Sequence, residues 1–456
     1  MKKIIMILII CFLPHTLLSQ SIISFNIPKD AFKLGESFLV SVRTDTLFNA
    51  SNFFIVQISD KFGSFSSAVE IGRIAARADT TIPCQIPDTF QVATNYLIRV
   101  LATSPSFISN PHPSRLILYY GRTFYVSKSG NDDNDGSRDK PLLTIQKAID
   151  IAWYHDTIYV EAGTYNENIK FNGIDLVLLA LNGPEQTIID GLRNGTPVVT
   201  LENGESSATV IDGFTIQNGV NYQMDNGPGI TIKYQNTAPT LRNLIIKNNE
   251  AWAFGGGIFC YNAGNVKIIN CKIENNKAKY FGGGIYTDNT NIELISSIVR
   301  KNSSGGIYTL RSFPKINNSL IYWNNSNEVT IFSDLGFQIK PQILNSTIVS
   351  SNKFYAVYIY GRFYAQILNS IIYGPDSTIY LMGDAYDTLE VNHSIVYEYP
   401  KKAFLDKVIV KTGKHFFTDD PMFINLNNEN FSLDSCSAAI GTADKTIAPP
   451  FDVFEH

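Results

Sequence analysis

Cysteine is scarce, with five in 456 residues and no pair in a C-x-x-C spacing. That removes the thiolate metal sites and dithiol redox motifs that such spacing marks. Cys84, Cys260, Cys271 and Cys436 are scattered, so they read as buried free thiols and not as a disulfide framework. Charge is thin as well: Asp, Glu, Lys and Arg make up 17% of the chain, the formal net charge is −4, and no basic block occurs. This argues against a nucleic acid or an anionic membrane surface as partner. Beyond the first twenty residues no run is apolar for long enough to span a bilayer. No P-loop, H-E-x-x-H or G-x-S-x-G motif is found, which leaves the common phosphate, zinc-protease and serine-hydrolase chemistries without their residues.

What is present begins with an export signal. Lys2 and Lys3 precede an apolar stretch over residues 4–18, and Leu18-Ser19-Gln20 offers a small-residue exit. Residues 1–20 are therefore expected to be a signal peptide, with the mature protein secreted or at the cell surface. Cys11 lacks the flanking small residues of a lipoprotein site. From residue 21 to 122, short runs such as Phe38-Leu39-Val40-Ser41-Val42 and Phe53-Phe54-Ile55-Val56-Gln57-Ile58 alternate with turn residues. That texture predicts an antiparallel β-sandwich. The stretch from Phe54 to Phe65, with Tyr96-Leu97-Ile98-Arg99-Val100, resembles the Ig-like modules that begin many secreted bacterial surface proteins, and implies a spacer or binding module.

The body of the chain is repetitive. An aliphatic residue recurs at Ile216, Ile246, Ile273, Val299, Ile321, Ile348, Ile372 and Ile395, between 22 and 30 residues apart. A period in this range signals a solenoid. Three residues before each lies the column Gly213, Asn243, Asn270, Ser296, Asn318, Asn345, Asn369, Asn392. Asparagine tolerates left-handed backbone, so this column is expected to be a stacked ladder at a tight corner. The next column, Phe214, Leu244, Cys271, Ser297, Ser319, Ser346, Ser370 and His393, should point inward beside it. A second signature, Gly227-Pro228-Gly229-Ile230, Gly255-Gly256-Gly257-Ile258, Gly282-Gly283-Gly284-Ile285 and Gly305-Gly306-Ile307, repeats in another phase. These runs resemble the Gly-Gly-x-Ile repeats of β-helical bacterial surface proteins, including passenger regions of polymorphic outer-membrane proteins.

The predicted fold is thus all-β: a sandwich followed by a right-handed parallel β-helix over 123–395. Ile145, Ala148, Ile149 and Ala152 place one apolar face on a short helix over 144–153, suited to cover the open first coil. Phe124-Tyr125-Val126-Ser127-Lys128-Ser129-Gly130-Asn131-Asp132, then Thr144-Ile145-Gln146-Lys147-Ala148-Ile149, Asp156-Thr157-Ile158-Tyr159-Val160 and Gly163-Thr164-Tyr165, resemble the opening of pectate-lyase-like β-helix proteins. Asn131, Asp133, Asp135 and Gly136 mimic an EF-hand start, but Leu142 stands where a bidentate Glu is needed, so a polar turn is expected. Residues 396–456, with Asp419-Asp420-Pro421-Met422-Phe423-Ile424 and Asn430-Phe431-Ser432-Leu433, resemble the segment that caps the last coil of many secreted β-helix proteins, often ahead of a surface anchor.

Side chains alternate across a strand. With Ile258, Ile285 and Ile307 inward, the outward set is Thr231 and Lys233, Phe259 and Tyr261, Tyr286 and Asp288, Tyr308 and Leu310, continued by Thr330 and Phe332, Tyr358 and Tyr360, and Tyr380. Phe259, Tyr261, Tyr286, Asp288, Tyr308, Tyr358 and Tyr360 are the candidate ligand residues, a platform on which polysaccharide rings stack. The competing reading is a ladder of rings that stabilises the sheet. Catalysis has fewer residues to draw on. The resemblance implies a lyase that needs clustered carboxylates for calcium and a Lys or Arg base. Only Asp288 lies on this face, with Arg311 as its companion candidate, Lys233 and Arg362 as further bases, and Asp225 and Asp334 near in sequence. The several Asp on adjacent coils of a polygalacturonase-type hydrolase are missing. The expected function is binding of an extracellular polysaccharide or cell-surface glycan without catalysis, with a polysaccharide lyase as the alternative. No metal or cofactor is expected, calcium being required only by a lyase.

Overall fold

The computed structural model describes residues 22–222, 227–334, 338–351, 354–376, 378–384, 386–399 and 403–448. The expected signal peptide and Asp225 lie outside the described residues. The chain divides into two compact units, residues 1–120 and 121–456.

In the first unit, strand Ser37–Thr44 alternates exposed and buried side chains. That period of two allows one face to pack and the other to meet water. Seven strands form one antiparallel sheet, in the spatial order Ile22–Asn26, Ser37–Thr44, Thr80–Gln85, Val69–Ala75, Phe53–Ile58, Ile98–Thr103, Ser106–Ile108. A smaller sheet joins Ala31–Lys33, Leu116–Tyr119 and Ala93–Tyr96. Phe32, Phe54, Val56, Ile82, Ile98 and Leu116 fill the core.

The second unit is a parallel β-helix. Among the described residues, three long sheets carry twelve, eleven and ten strands. Each full coil gives one strand to each, as Thr240–Arg242 to sheet one, Ile245–Lys247 to sheet two and Ile258–Tyr261 to sheet three. Neighbouring coils pair parallel and in register, so like side chains stack. The inward stacks Leu241, Ile246, Ile258 and Cys260 belong to one continuous core. Burial pushes the Cys271 thiol up to about 12 and also raises Cys260, as expected of inert core thiols. Cys436, read among the buried thiols, is exposed.

Helix Ile145–Ile151 buries Ile145, Ala148 and Ile149 against the first coil. Its first-turn N–H groups, which have no partner within a helix, are met by side chains. Thr144 Oγ1 accepts from Lys147 N, while the Glu167 carboxylate accepts from Ile145 N and Gln146 N. The Asp132 carboxylate accepts from Leu143 N, Thr144 N and the Thr144 hydroxyl. The acidic run after Gly130 thus anchors the entry to the cap.

The corner between sheets one and two is a single left-handed residue. Asn243, Asn270, Ser296, Asn318, Asn345 and Asn369 have φ between 48° and 54°. Asn270 Nδ2 donates to Asn243 Oδ1 at 2.8 Å and Asn369 Nδ2 to Asn345 Oδ1 at 3.0 Å. Asn318 bonds Ser296 instead, and Asn345 bonds Asn317. Beside it the hydroxyls of Ser297, Ser319, Ser346, Ser370 and Ser394 each accept a backbone N–H from the coil before. The last of the predicted repeats is set one residue later than the spacing predicts. His393, not Asn392, holds the corner at φ 50°, and Val396, not Ile395, stacks on Ile372. Two adjacent aliphatics could not fix the register; Ser394 completing the hydroxyl row does.

The β-helix also runs past residue 395, through Ala403–Asp406, Ile409–Thr412 and Phe416–Phe417. The next segment turns back along the outside of sheet two instead of lying over the last coil. Phe431 packs with Leu320, Tyr322 and Val349, and Glu429 pairs with Arg300 and Lys301. Those apolar outward residues explain the return: left open to water they would form an exposed patch. Among the described residues no helix is long and apolar enough to cross a membrane.

Candidate functional site

Sheet three presents the aromatic face. Strands Ile258–Tyr261, Ile285–Asp288, Ile307–Leu310, Val329–Phe332, Val357–Tyr360 and Ile379–Met382 pair in register. Ile258, Ile285, Ile307, Val329, Val357 and Ile379 point into the core, so the residues between them point out. Two outward columns result. The first is Phe259, Tyr286, Tyr308, Thr330, Tyr358, Tyr380, and the second is Tyr261, Asp288, Leu310, Phe332, Tyr360, Met382.

Rings in the first column stack nearly parallel. Phe259 and Tyr286 are 5.5 Å apart, Tyr286 and Tyr308 5.6 Å, and Tyr358 and Tyr380 4.3 Å. In the second column Phe332 and Tyr360 stack at 4.9 Å. A further layer comes from residues just before the glycine runs: Phe254 lies 4.8 Å from Tyr286 and Phe281 4.6 Å from Tyr308. Glycine is required beside them, since a Cβ on Gly283 would sit 1.7 Å from Ser303 O. Tyr286 beneath this cover is only 6% exposed and Phe259 beside it only 3%, against 38% for Tyr261. Tyr308, Tyr358 and Tyr360 are half-buried. Burial raises the phenols of Tyr286 and Tyr308, and pushes Tyr358 up to about 12. The seven candidate ligand residues therefore share one face, with Phe259 and Tyr286 at its covered end and Tyr308, Tyr358 and Tyr360 nearer to solvent.

Asp288 and Arg311 are bound to each other. Arg311 Nη2 donates to Asp288 Oδ1 at 2.5 Å and Oδ2 at 2.7 Å, and Nε to Oδ1 at 3.0 Å. The bidentate bond raises the guanidinium further above its ordinary value, which opposes a role as base. Asp334 approaches the same guanidinium at 4.0 Å. Asp288 and Asp334 are the carboxylates that meet there among the described residues. Lys233 is buried, and Arg362 is exposed.

A second asparagine ladder, not read from the sequence, stands between sheets two and three. Asn249, Asn276, Asn302 and Asn324 are fully buried. Each Oδ1 after the first accepts both N–H and Nδ2–H of the coil before. The Glu328 carboxylate ends the row by accepting from Asn324 N and Nδ2. Burial lifts its pKa well above the ordinary glutamate value. The signal was available: these asparagines stand three residues after Ile246, Ile273, Val299 and Ile321.

Residues 193–339 match the family model "Right handed beta helix region". The body of this chain is a right-handed parallel β-helix. Among curated proteins, pectate lyase PEL9 of Emericella nidulans is 36% identical over 115 residues, covering 23% of this chain and 28% of that protein. Uncharacterized protein YwoF of Bacillus subtilis is 28% identical over 141 residues, 30% of this chain and 25% of that protein. The chain thus spans about a quarter of the length of these curated relatives. Among solved structures, the crystal structure of pectate lyase Pel9A is similar over 69% of this chain and 90% of its own, at 14% identity and a TM-score of 0.42.

Proposed function

We propose that this chain is an exported protein whose β-helix binds a polysaccharide along the outer face of sheet three, without cleaving it. The observation that carries this reading is the row of half-buried rings, Tyr308, Phe332, Tyr358, Tyr360 and Tyr380, on successive coils of one flat face. Flat faces at strand spacing suit an extended chain of sugar rings. The pairing of Asp288 with Arg311 supports the non-catalytic side, because it ties the candidate acid and base to each other. The basic and apolar opening over residues 1–20 supports export. Affinity electrophoresis in gels containing polysaccharide tests the reading. Retardation of the wild type that is lost in Tyr308→Ala/Tyr358→Ala, with the melting temperature of the wild type largely kept, is expected.

A second reading, a polysaccharide lyase, is favoured by the 36% identity with pectate lyase PEL9. It predicts ultraviolet-absorbing unsaturated products from a uronate polymer, with or without added calcium, and their loss in Asp288→Ala. Such products would overturn the non-catalytic assignment.

A further inference from the structure

We infer that the aromatic column lacks one rung by construction, and that the space over Thr330 is a subsite for a single neutral pyranose ring held between Tyr308 and Tyr358. This rests on the glycan-binding reading above and assigns its central subsite.

The column is aromatic on five of the six coils from Phe259 to Tyr380, and Thr330 is the exception. Tyr308 and Tyr358 each pair in register with Thr330 from opposite sides. Neighbouring strands lie about 4.8 Å apart, so the two rings stand roughly two spacings, about 9.6 Å, from one another. Within the column, rings in contact are 4.3 to 5.6 Å apart. The gap therefore admits one ring-thick object touching both faces.

Both walls are held from behind. Tyr308 rests on Tyr286 and on Phe281. Tyr358 rests on Tyr380, and Tyr355 lies edge-on at 5.2 Å from Tyr380 and 6.1 Å from Tyr358, on the side away from Thr330. Walls fixed before binding lose little freedom when a ligand enters. Phe332 is occupied in stacking on Tyr360, so it flanks the gap and does not fill it.

The floor is polar and oriented. Asn327 Oδ1 accepts from Tyr355 N at 3.1 Å, which directs its Nδ2 to Thr330 Oγ1 at 3.3 Å. Thr330 Oγ1 accepts a hydrogen bond there and keeps its own O–H to donate. Aromatic faces above and below with a hydroxyl donor at the base suit a pyranose, which carries C–H on its faces and oxygen at its rim. Charge selects against an acidic sugar. Arg311, which follows Leu310 of the adjoining column, is already satisfied by Asp288 and approached by Asp334, a half-exposed carboxylate. Arg311 is therefore committed and offers a uronate no free charge, while Asp334 beside it adds a negative one.

Thr330→Tyr tests the assignment by supplying the missing rung. Galactomannan, hydroxyethyl cellulose and polygalacturonate are the probes, in affinity electrophoresis. The wild type is expected to be retarded by a neutral polymer and not preferentially by polygalacturonate. Thr330→Tyr is expected to weaken that retention about tenfold or more, from the loss of two ring contacts, with an equal or higher melting temperature. Thr330→Val, nearly the same shape without the hydroxyl, should fold as the wild type and lose several-fold in affinity; it decides the matter where the tyrosine variant is unstable. Wild-type retention in folded Thr330→Tyr, alongside loss in Tyr308→Ala/Tyr358→Ala, would overturn the subsite and leave the platform standing. Preference for polygalacturonate would overturn the neutral-sugar assignment. A wild type that no polymer retards would overturn the platform and the subsite together.

Discussion

Removal of the Asn302 side chain should be among the most damaging single changes in the β-helix, although the residue is not one of the outward rings. Asn302 is fully buried. Its Nδ2 donates to Ile273 O and Asn324 Oδ1, both at 2.9 Å. Its Oδ1 accepts from Asn276 N at 2.9 Å and Asn276 Nδ2 at 3.1 Å. Asn302→Ala deletes all four bonds. Asn276 Nδ2 keeps its bond to Ile246 O, so the group left most exposed to loss is the backbone N–H of Asn276. An orphaned buried donor costs about 1–3 kcal/mol; with the two acceptors also weakened, a total of about 2–5 kcal/mol follows. Asn302 has no left-handed backbone to confuse the result, because its φ is not positive. The control is Asn270→Gly in the exposed corner ladder, where φ is 51° and one side-chain bond to Asn243 is lost. Glycine accepts that backbone, so the change should cost less than about 1 kcal/mol. Urea unfolding followed by circular dichroism reads both. Equal effects, or an Asn302→Ala loss below that of Asn270→Gly, would refute the reasoning that burial sets the cost.

Glu328 supplies a pH dependence. Burial raises its folded pKa above the ordinary glutamate value, so its contribution is fullest below the ordinary range and is lost as pH rises through the raised value. The melting temperature of the wild type relative to Glu328→Gln should therefore fall as pH is raised from about 4; a difference that stays flat up to pH 8 contradicts this. Tyr286→Ala should destabilise by about 3–5 kcal/mol, as for other buried aromatic truncations, whereas Tyr360→Ala, on the half-buried part of the same face, should cost clearly less by urea titration. Arg311→Ala strands the nearly buried Asp288 carboxylate, but the pair is partly solvated, so a loss of about 1–3 kcal/mol is expected. Adding Asp288→Asn should recover part of it, and a double variant no more stable than Arg311→Ala would show that the two do not act as a pair.

The solenoid and its tight corner were legible because their residues answer to strict local demands. A left-handed residue between two strands favours Asn or Gly, and a stack of coils repeats that demand at a regular interval. Register failed only at the last predicted repeat, where Ile395 and Val396 are equally apolar and Ser394 carried the information. The buried ladder of Asn249, Asn276, Asn302 and Asn324 was missed because asparagine reads as a turn residue, and its burial depends on the coils above and below. The outward face was placed by alternation alone. What alternation could not convey was the cover over Tyr286 and Tyr308, since Phe254 and Phe281 reach them from before the glycine runs. Nor did it reveal that Asp288 and Arg311 neutralise one another, because that contact joins adjacent coils.

Everything proposed for function rests on glycan binding by the outward rings of sheet three. The most direct measurement is the mobility of the wild type and of Tyr308→Ala/Tyr358→Ala in gels with and without galactomannan, beside a melting curve for each. Retardation of the wild type alone, with both proteins folded, is the predicted result. No retardation of the wild type in galactomannan, hydroxyethyl cellulose or polygalacturonate, together with unfolding of the double variant, would contradict the account and make the rings a structural ladder.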